Sequence, residues 1–376
     1  MLYLITMSST SNHFNASMNL SEKKKERIIM SVQEPITINE AKLLLSQADI
    51  PMIDDNVNYW FVRTSGGDNF EKFYFGNYIA IGWDEFNDLE MLKDCPHDVL
   101  RTRIEEAYPN DAKPGSTASQ IIRFVSQMKP GDYVLIPGAN CDRIAFGKII
   151  SDAYIYELTN EDKMDLLFGE ETQIDFRKRR NVEWITSSPL NRSEIDPLLI
   201  PIIYSYGTIV DANPYSAFIN RSIYDLYYRN GELHSIFNVT KKENIPICEF
   251  YDFISNIFDA LDEYSEISGF KIDKRELSIK ASINSPGPVE IITAAASAFI
   301  FLSALSLFLN GAKVKFSYNI LNVASGEIKI NSPGLLDKIK KLKDSDTNNT
   351  VKLKETENKL NATKNALEIK KSKKKK

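Results

Sequence analysis

Trp60-Phe-Val-Arg-Thr-Ser-Gly-Gly67, followed by Tyr78-Ile-Ala-Ile-Gly-Trp83, is the stretch on which the fold turns. Both apolar runs are short, aromatic or β-branched, and closed by glycine, which is the composition of buried strands ended by turns. A helix or turn around Phe70–Phe75 links them. Beyond them, Leu89–Tyr108 is acidic and helical, and Ser119–Met128 sets Ile121, Ile122, Val125 and Met128 on one helical face. Lys129-Pro-Gly-Asp132 ends that helix, because Pro and Gly supply turn dihedrals and Asp can bond its own loop. Tyr133–Pro137, Arg143–Ile150, Ala153–Leu158 and Asn181–Ile185 follow as strands. The pattern predicts an α+β fold built on a small, curved, mostly antiparallel sheet with one or two helices.

Working outward, residues 1–35 are polar and Ser/Lys-rich and are expected to be disordered, with Met30 as an alternative start to Met1. Residues 36–56 hold a short helix and linker, opened by the capping box Thr37-Ile-Asn-Glu40. The first domain is expected over 57–203 and a second α+β domain over 204–343. In the latter, Leu233–Val239 reads as a strand and Ile247–Leu261 as an amphipathic helix. Ile-Asn-Ser-Pro-Gly occurs at 283–287 and again at 330–334, each time with Ser at an N-cap and Pro at N1, predicting two strand–turn–helix units. From Asp344 the chain is Lys/Asn/Thr-rich, with six lysines in its last seven residues, and is expected to be a disordered tail.

The composition, 43% hydrophobic and 26% charged, is that of a soluble globular protein, and 17 Tyr and 20 Phe supply core-forming surface. A net charge of −5 excludes a polycation that coats nucleic acid by phosphate neutralisation alone, so any such binding is local. Cys95, Cys141 and Cys248 are odd in number and lack CxxC spacing, which fits a reducing cytoplasm and no disulfide framework. His13, His97 and His234 are isolated; no metal site, no cofactor motif and no Walker, GxSxG or GxGxxG signature is present.

The order of Trp60–Gly67, Ile81-Gly-Trp83, Gln127–Ile136, Phe146-Gly-Lys-Ile149 and Arg180–Trp184 resembles the PUA-like domains at the N-terminus of Mrr-type restriction proteins, relatives of the EVE and YTH families. The resemblance covers about a third of the chain. It implies a module that recognises a nucleotide or a modified base in nucleic acid, set in prokaryotic genome defence, and a binding unit rather than an enzyme. Carried over motif by motif, Trp83 becomes the ring-stacking residue, and Arg63, Ser65, Gly66 and Gly67 offer one guanidinium and backbone N–H groups to a base edge or phosphate. Asn77 and Arg123 complete the expected site. Trp60 and Trp184, within strands, are expected to pack the core.

Two rival readings come from the second half. Ile291–Leu309 is nineteen uncharged residues, long enough as one helix to approach the ~30 Å of a bilayer core, and so admits a membrane-acting effector. A buried core helix packed on a sheet accounts better for its Thr293, Ser297, Ser303 and Ser306, with an interface helix in a homo-oligomer as a further option. Glu327-Ile-Lys329 has the spelling of a nuclease strand, yet no Asp or Glu occurs between Ile291 and Gly326 to share a metal with it.

Overall fold

The computed structural model describes residues 36–160, 162–164, 176–268, 270–281, 287–310 and 348–370. The expected disorder of 1–35, Glu327 with Lys329, the Ile-Asn-Ser-Pro segments and the terminal lysines fall outside them. The described chain divides into two compact units. One is Ile53–Asp225; the other combines residues on both sides of it, Ile36–Met52 and Leu226–Lys370.

The first helix, α1 (Ile38–Gln47), starts as its sequence dictates. The Thr37 hydroxyl accepts from the Glu40 N–H, and the Glu40 carboxylate accepts from the Thr37 N–H at 2.9 Å. Ala41, Leu44 and Leu45 form its buried face, and all three belong to the core of the Leu226–Lys370 unit.

Within Ile53–Asp225, β1 (Tyr59–Val62) is buried along its whole length. A short helix, α2 (Phe70–Gly76), leads to β2 (Tyr78–Ile81), and α3 (Leu89–Asp94), α4 (His97–Ala107) and α5 (Pro114–Ile122) follow. The last continues as a π turn over Arg123–Gln127. Then come β3 (Tyr133–Pro137), β4 (Arg143–Ile149), β5 (Tyr154–Ile155), β6 (Lys178–Trp184), β7 (Leu190–Asn191), β8 (Ile209–Asp211) and α6 (Ser216–Ile223). The sheet order is β2-β6-β4-β3-β1-β8, with β5 on β6 and β7 on β4. Only β1 and β3 pair in parallel, Trp60 opposite Val134; the other pairs are antiparallel. The expected α+β class and mostly antiparallel sheet are present. This unit runs past residue 203 because Val62 of β1 pairs with Ile209 of β8.

Asp132 locks the start of the sheet. Its carboxylate accepts from the N–H of Asn58 (2.9 Å), the indole N–H of Trp60 (2.9 Å) and the N–H of Lys129 (3.0 Å). The last bond closes the Lys-Pro-Gly-Asp turn on itself. Arg180, buried on β6, donates to the carbonyls of Phe124 (2.7 Å) and Val125 (3.0 Å), satisfying acceptors left over where the α5 helix ends.

The other unit is a sheet in the order β11-β12-β10-β13 with β9 on β10. Its strands are β9 (Leu226–Arg229), β10 (Glu232–Val239), β11 (Leu277–Ala281), β12 (Gly287–Thr293) and β13 (Ile369–Lys370). Its later helices are α7 (Ile247–Ser268), α8 (Ala296–Leu309) and α9 (Asn348–Ala366). Three expectations are corrected here. The first Ile-Asn-Ser-Pro-Gly does not open a helix: Gly287 begins strand β12, paired antiparallel with β11. Ile291–Leu309 is not one helix: Ile291, Ile292 and Thr293 lie in β12, paired with Ser235, His234 and Leu233 of β10. The helical remainder, 14 residues, spans about 21 Å at 1.5 Å per residue, and no helix among the described residues is long and apolar enough to cross a membrane. Nor is the tail from 344 disordered throughout. Along α9, Thr356, Leu360 and Thr363 are buried; Thr356 donates to Glu263 and Thr363 accepts from Asn256 of α7, both at 2.7 Å. Ile369 then pairs with Val239.

Candidate ligand-binding site

The three tryptophans of the chain stand in different environments. Trp60 is 5% exposed and donates to Asp132; Trp184 is 4% exposed and donates to the carbonyl of Tyr74 at 2.7 Å. Both are core residues, as their strand positions predict. Trp83 is only partly buried, packs one side against the core, and donates its indole N–H to no described residue. Its backbone is left-handed, φ +60°, a conformation unusual for a bulky side chain and costing roughly 1–2 kcal/mol.

Two buried or nearly buried charges hold that conformation. Lys178 of β6, its side chain fully enclosed, donates from Nζ to the carbonyl of Trp83 (2.8 Å) and to Asn87 Oδ1 (3.2 Å). Asp84, next in the loop, accepts from the N–H of Phe176 (2.9 Å) and of Arg177 (3.1 Å) and lies 3.5 Å from Lys178 Nζ. Burial pushes the Lys178 ammonium down to about 8, with Asp84 acting in the opposite direction. The backbone of the loop after β2 is therefore fixed by Lys178 and Asp84.

The remaining expected site residues do not join Trp83. Following the strand directions from β1 through β3, β4 and β6 to β2, β1 and β2 run in opposite senses, so Arg63 after β1 and Trp83 after β2 lie at opposite ends of the sheet. The expectation of one shared cleft is corrected accordingly. Ser65, Gly66 and Gly67 all take positive φ in a tight turn, and a Cβ on Gly67 would meet the Ala139 Cα at 2.4 Å. Asn77 is the left-handed C-cap of α2 and is exposed at the opposite end of β2 from Trp83. Arg63 and Arg123 do converge, on a different segment: Arg63 donates to the carbonyls of Ile203 (2.9 Å) and Ser205, and Arg123 to that of Ile209 (3.1 Å).

Sequence reasoning passed over Lys178 and Asp84. A signal existed: Lys178, Arg180, Val182 and Trp184 alternate on the inward face of β6, and a cation on an inward position requires a partner. No cluster of His, Cys, Asp and Glu suited to a metal ion occurs among the described residues.

Residues 60–198 match a family model described as a domain of unknown function, DUF8426. No curated protein matches the chain. Among solved structures, the YTH domain of the Zygosaccharomyces rouxii MRB1 protein, in complex with N6-methyladenosine RNA, is similar at 13% identity and a TM-score of 0.24. That match covers 46% of this chain and 90% of the other.

Proposed function

We propose that Ile53–Asp225 binds a nucleotide or a base in nucleic acid, with Trp83 stacking on the heterocycle. The observation that carries this reading is the contrast among the tryptophans. Two are enclosed with their N–H groups satisfied, while the third is only partly buried and has an N–H without a described partner, on strained backbone fastened by Lys178 and Asp84. Strain held in place by surrounding bonds is characteristic of ligand clamps. A flat π-face joined to an N–H donor is suited to a base, where stacking is worth roughly 1–3 kcal/mol. The motif resemblance to PUA, EVE and YTH domains points to the same ligand class, and its Mrr-type branch extends the proposal to discrimination between modified and unmodified bases in genome defence.

The test is fluorescence anisotropy with a panel of modified and unmodified DNA and RNA oligonucleotides, on wild type and Trp83→Ala. At least one probe is expected to bind and to weaken about tenfold or more in the variant. Binding of no probe, or binding unaltered by the substitution, overturns the reading.

A further inference from the structure

The segment Ile203–Ile209 is held by three side chains from different elements. Arg63 donates to two of its carbonyls, Gln120 accepts from the N–H groups of Thr208 and Ile209, and Arg123 donates to the carbonyl of Ile209. Gly207 turns at φ +108°, with Gln120 Oε1 placed 3.3 Å from where a Cβ would stand. What this fastening holds outward is a pair of aromatic rings: Tyr206 is 97% exposed and Tyr204 66%. Arg192 reaches the Tyr204 hydroxyl at 3.1 Å.

Three guanidinium groups lie along this segment, with Asp142 and Glu194 as acidic neighbours of Arg192 in the chain fold. Arg63, Arg123 and Arg192 bond to carbonyls and a hydroxyl, and none of the three forms an ion pair with a carboxylate among the described residues. Arg63 and Arg192 also act on Cys141, whose thiol is pushed up by burial and drawn down by both. Asp142 is the acidic side chain of that loop. On a chain of net charge −5, this sets guanidinium groups without a carboxylate partner among the described residues beside solvent-facing rings. Rings stack on unpaired bases and guanidinium groups attract phosphates, the combination that tracks a single strand.

We infer that Tyr204, Tyr206 and Arg192 form a second contact for single-stranded nucleic acid, at the end of the sheet away from Trp83. The inference rests on the nucleic-acid reading above, but on different residues. Tyr206 supplies a stacking face, Tyr204 a second one steadied by Arg192, and the uncompensated arginines draw the backbone in.

Anisotropy titrations of the full chain settle it. The probes are the tightest-binding nucleobase of the panel as its mononucleotide, and a labelled single strand of about 15 nucleotides, within the usual span of such sites. Tyr206→Ala is expected to weaken the oligonucleotide about tenfold and leave the mononucleotide unaffected. Arg192→Ala is expected to reduce the slope of log affinity against log salt by about 0.7, the value for one phosphate contact on a single strand. Oligonucleotide binding that depends on Trp83 and is indifferent to Tyr206 overturns the second contact alone. Dependence on Tyr206 without Trp83 keeps the contact and removes the base-stacking role of Trp83. No binding by wild type overturns both, and Tyr206-dependent self-association in place of nucleic-acid binding reassigns the surface to protein contact. Both side chains are exposed, so unchanged near-ultraviolet circular dichroism confirms that each variant is folded.

Discussion

The ammonium nitrogen of Lys178 lies 2.8 Å from the carbonyl oxygen of Trp83, inside the protein, with the Asp84 carboxylate 3.5 Å away. A buried cation thereby sets the backbone of the residue proposed to meet the ligand. Removing one member of such a pair leaves the other charge uncompensated, typically at about 3–5 kcal/mol.

A pH dependence follows from this pair. Lys178 titrates near 8 in the folded chain, below the unfolded value of 10.5, so between these pH values the unfolded chain binds more protons. Stability from this group accordingly rises with pH across roughly 8 to 10.5, and is penalised below that window. In Lys178→Met the rise is absent. Urea midpoints of wild type and variant at pH 7.5 and pH 10 are expected to move apart in favour of wild type; parallel midpoints contradict the assignment.

Asp132 accepts three hydrogen bonds, one of them from Trp60. Asp132→Ala is expected to destabilise the Ile53–Asp225 unit by about 3–5 kcal/mol, since bonds to a charged group exceed neutral ones and three donors lose their partner. Asp132→Asn, which keeps one acceptor, is expected to lose less. Chemical denaturation followed by tryptophan emission measures both.

Neighbouring glycines separate backbone freedom from close approach. Gly66, at φ +74°, has open space where a Cβ would stand, so Gly66→Ala is expected to cost about 1–2 kcal/mol from the left-handed conformation alone. Gly67, at φ +113°, faces the Ala139 backbone, so Gly67→Ala is expected to cost a further 1–3 kcal/mol or so from overpacking. Equal losses from the two substitutions run against the observed packing.

The C-terminal helix is a structural member of its unit. Leu360 and Leu367 are fully buried, and α9 exchanges hydrogen bonds with α7. Ending the chain at residue 347 is expected to abolish one cooperative transition in scanning calorimetry and to increase binding of a hydrophobic dye. Leu360→Asp, which buries a charge in that contact, is expected to have the same direction of effect. A dispensable tail leaves both measurements unchanged.

What the sequence reveals here depends on whether the signal is local. The Thr37–Glu40 capping box, the Lys129–Asp132 turn and the core roles of Trp60 and Trp184 are written within a few residues, and each stands as read. Ile291–Leu309 misleads because the end of β12 and most of α8 are uncharged and buried on nearly every side, so no period of two or of 3.6 marks the change at Ala295. In α9 the buried positions Thr356, Leu360 and Thr363 recur every three or four residues, a helical stripe continued by Leu367 just past its end and obscured by surrounding Lys and Asn. Pairing across the sheet is not local at all. That Arg63 and Trp83 stand at opposite ends is fixed by the parallel β1–β3 pair and the order of six strands, neither of which any short motif encodes.

One domain is interrupted by the other. The chain leaves the Leu226–Lys370 unit at Met52 and returns beside the same point, where Met52 bridges Tyr228 and the Pro51 carbonyl accepts from the Tyr228 N–H at 2.9 Å. Departure and return side by side are the connectivity of a cassette: 53–225 enters and leaves the sequence of its host at neighbouring residues. Excising it and joining the two flanks with a short Gly-Ser bridge leaves the host's α1 covalently attached to the core it packs into, whereas a gene cut at residue 226 discards that helix and the apolar side chains it contributes.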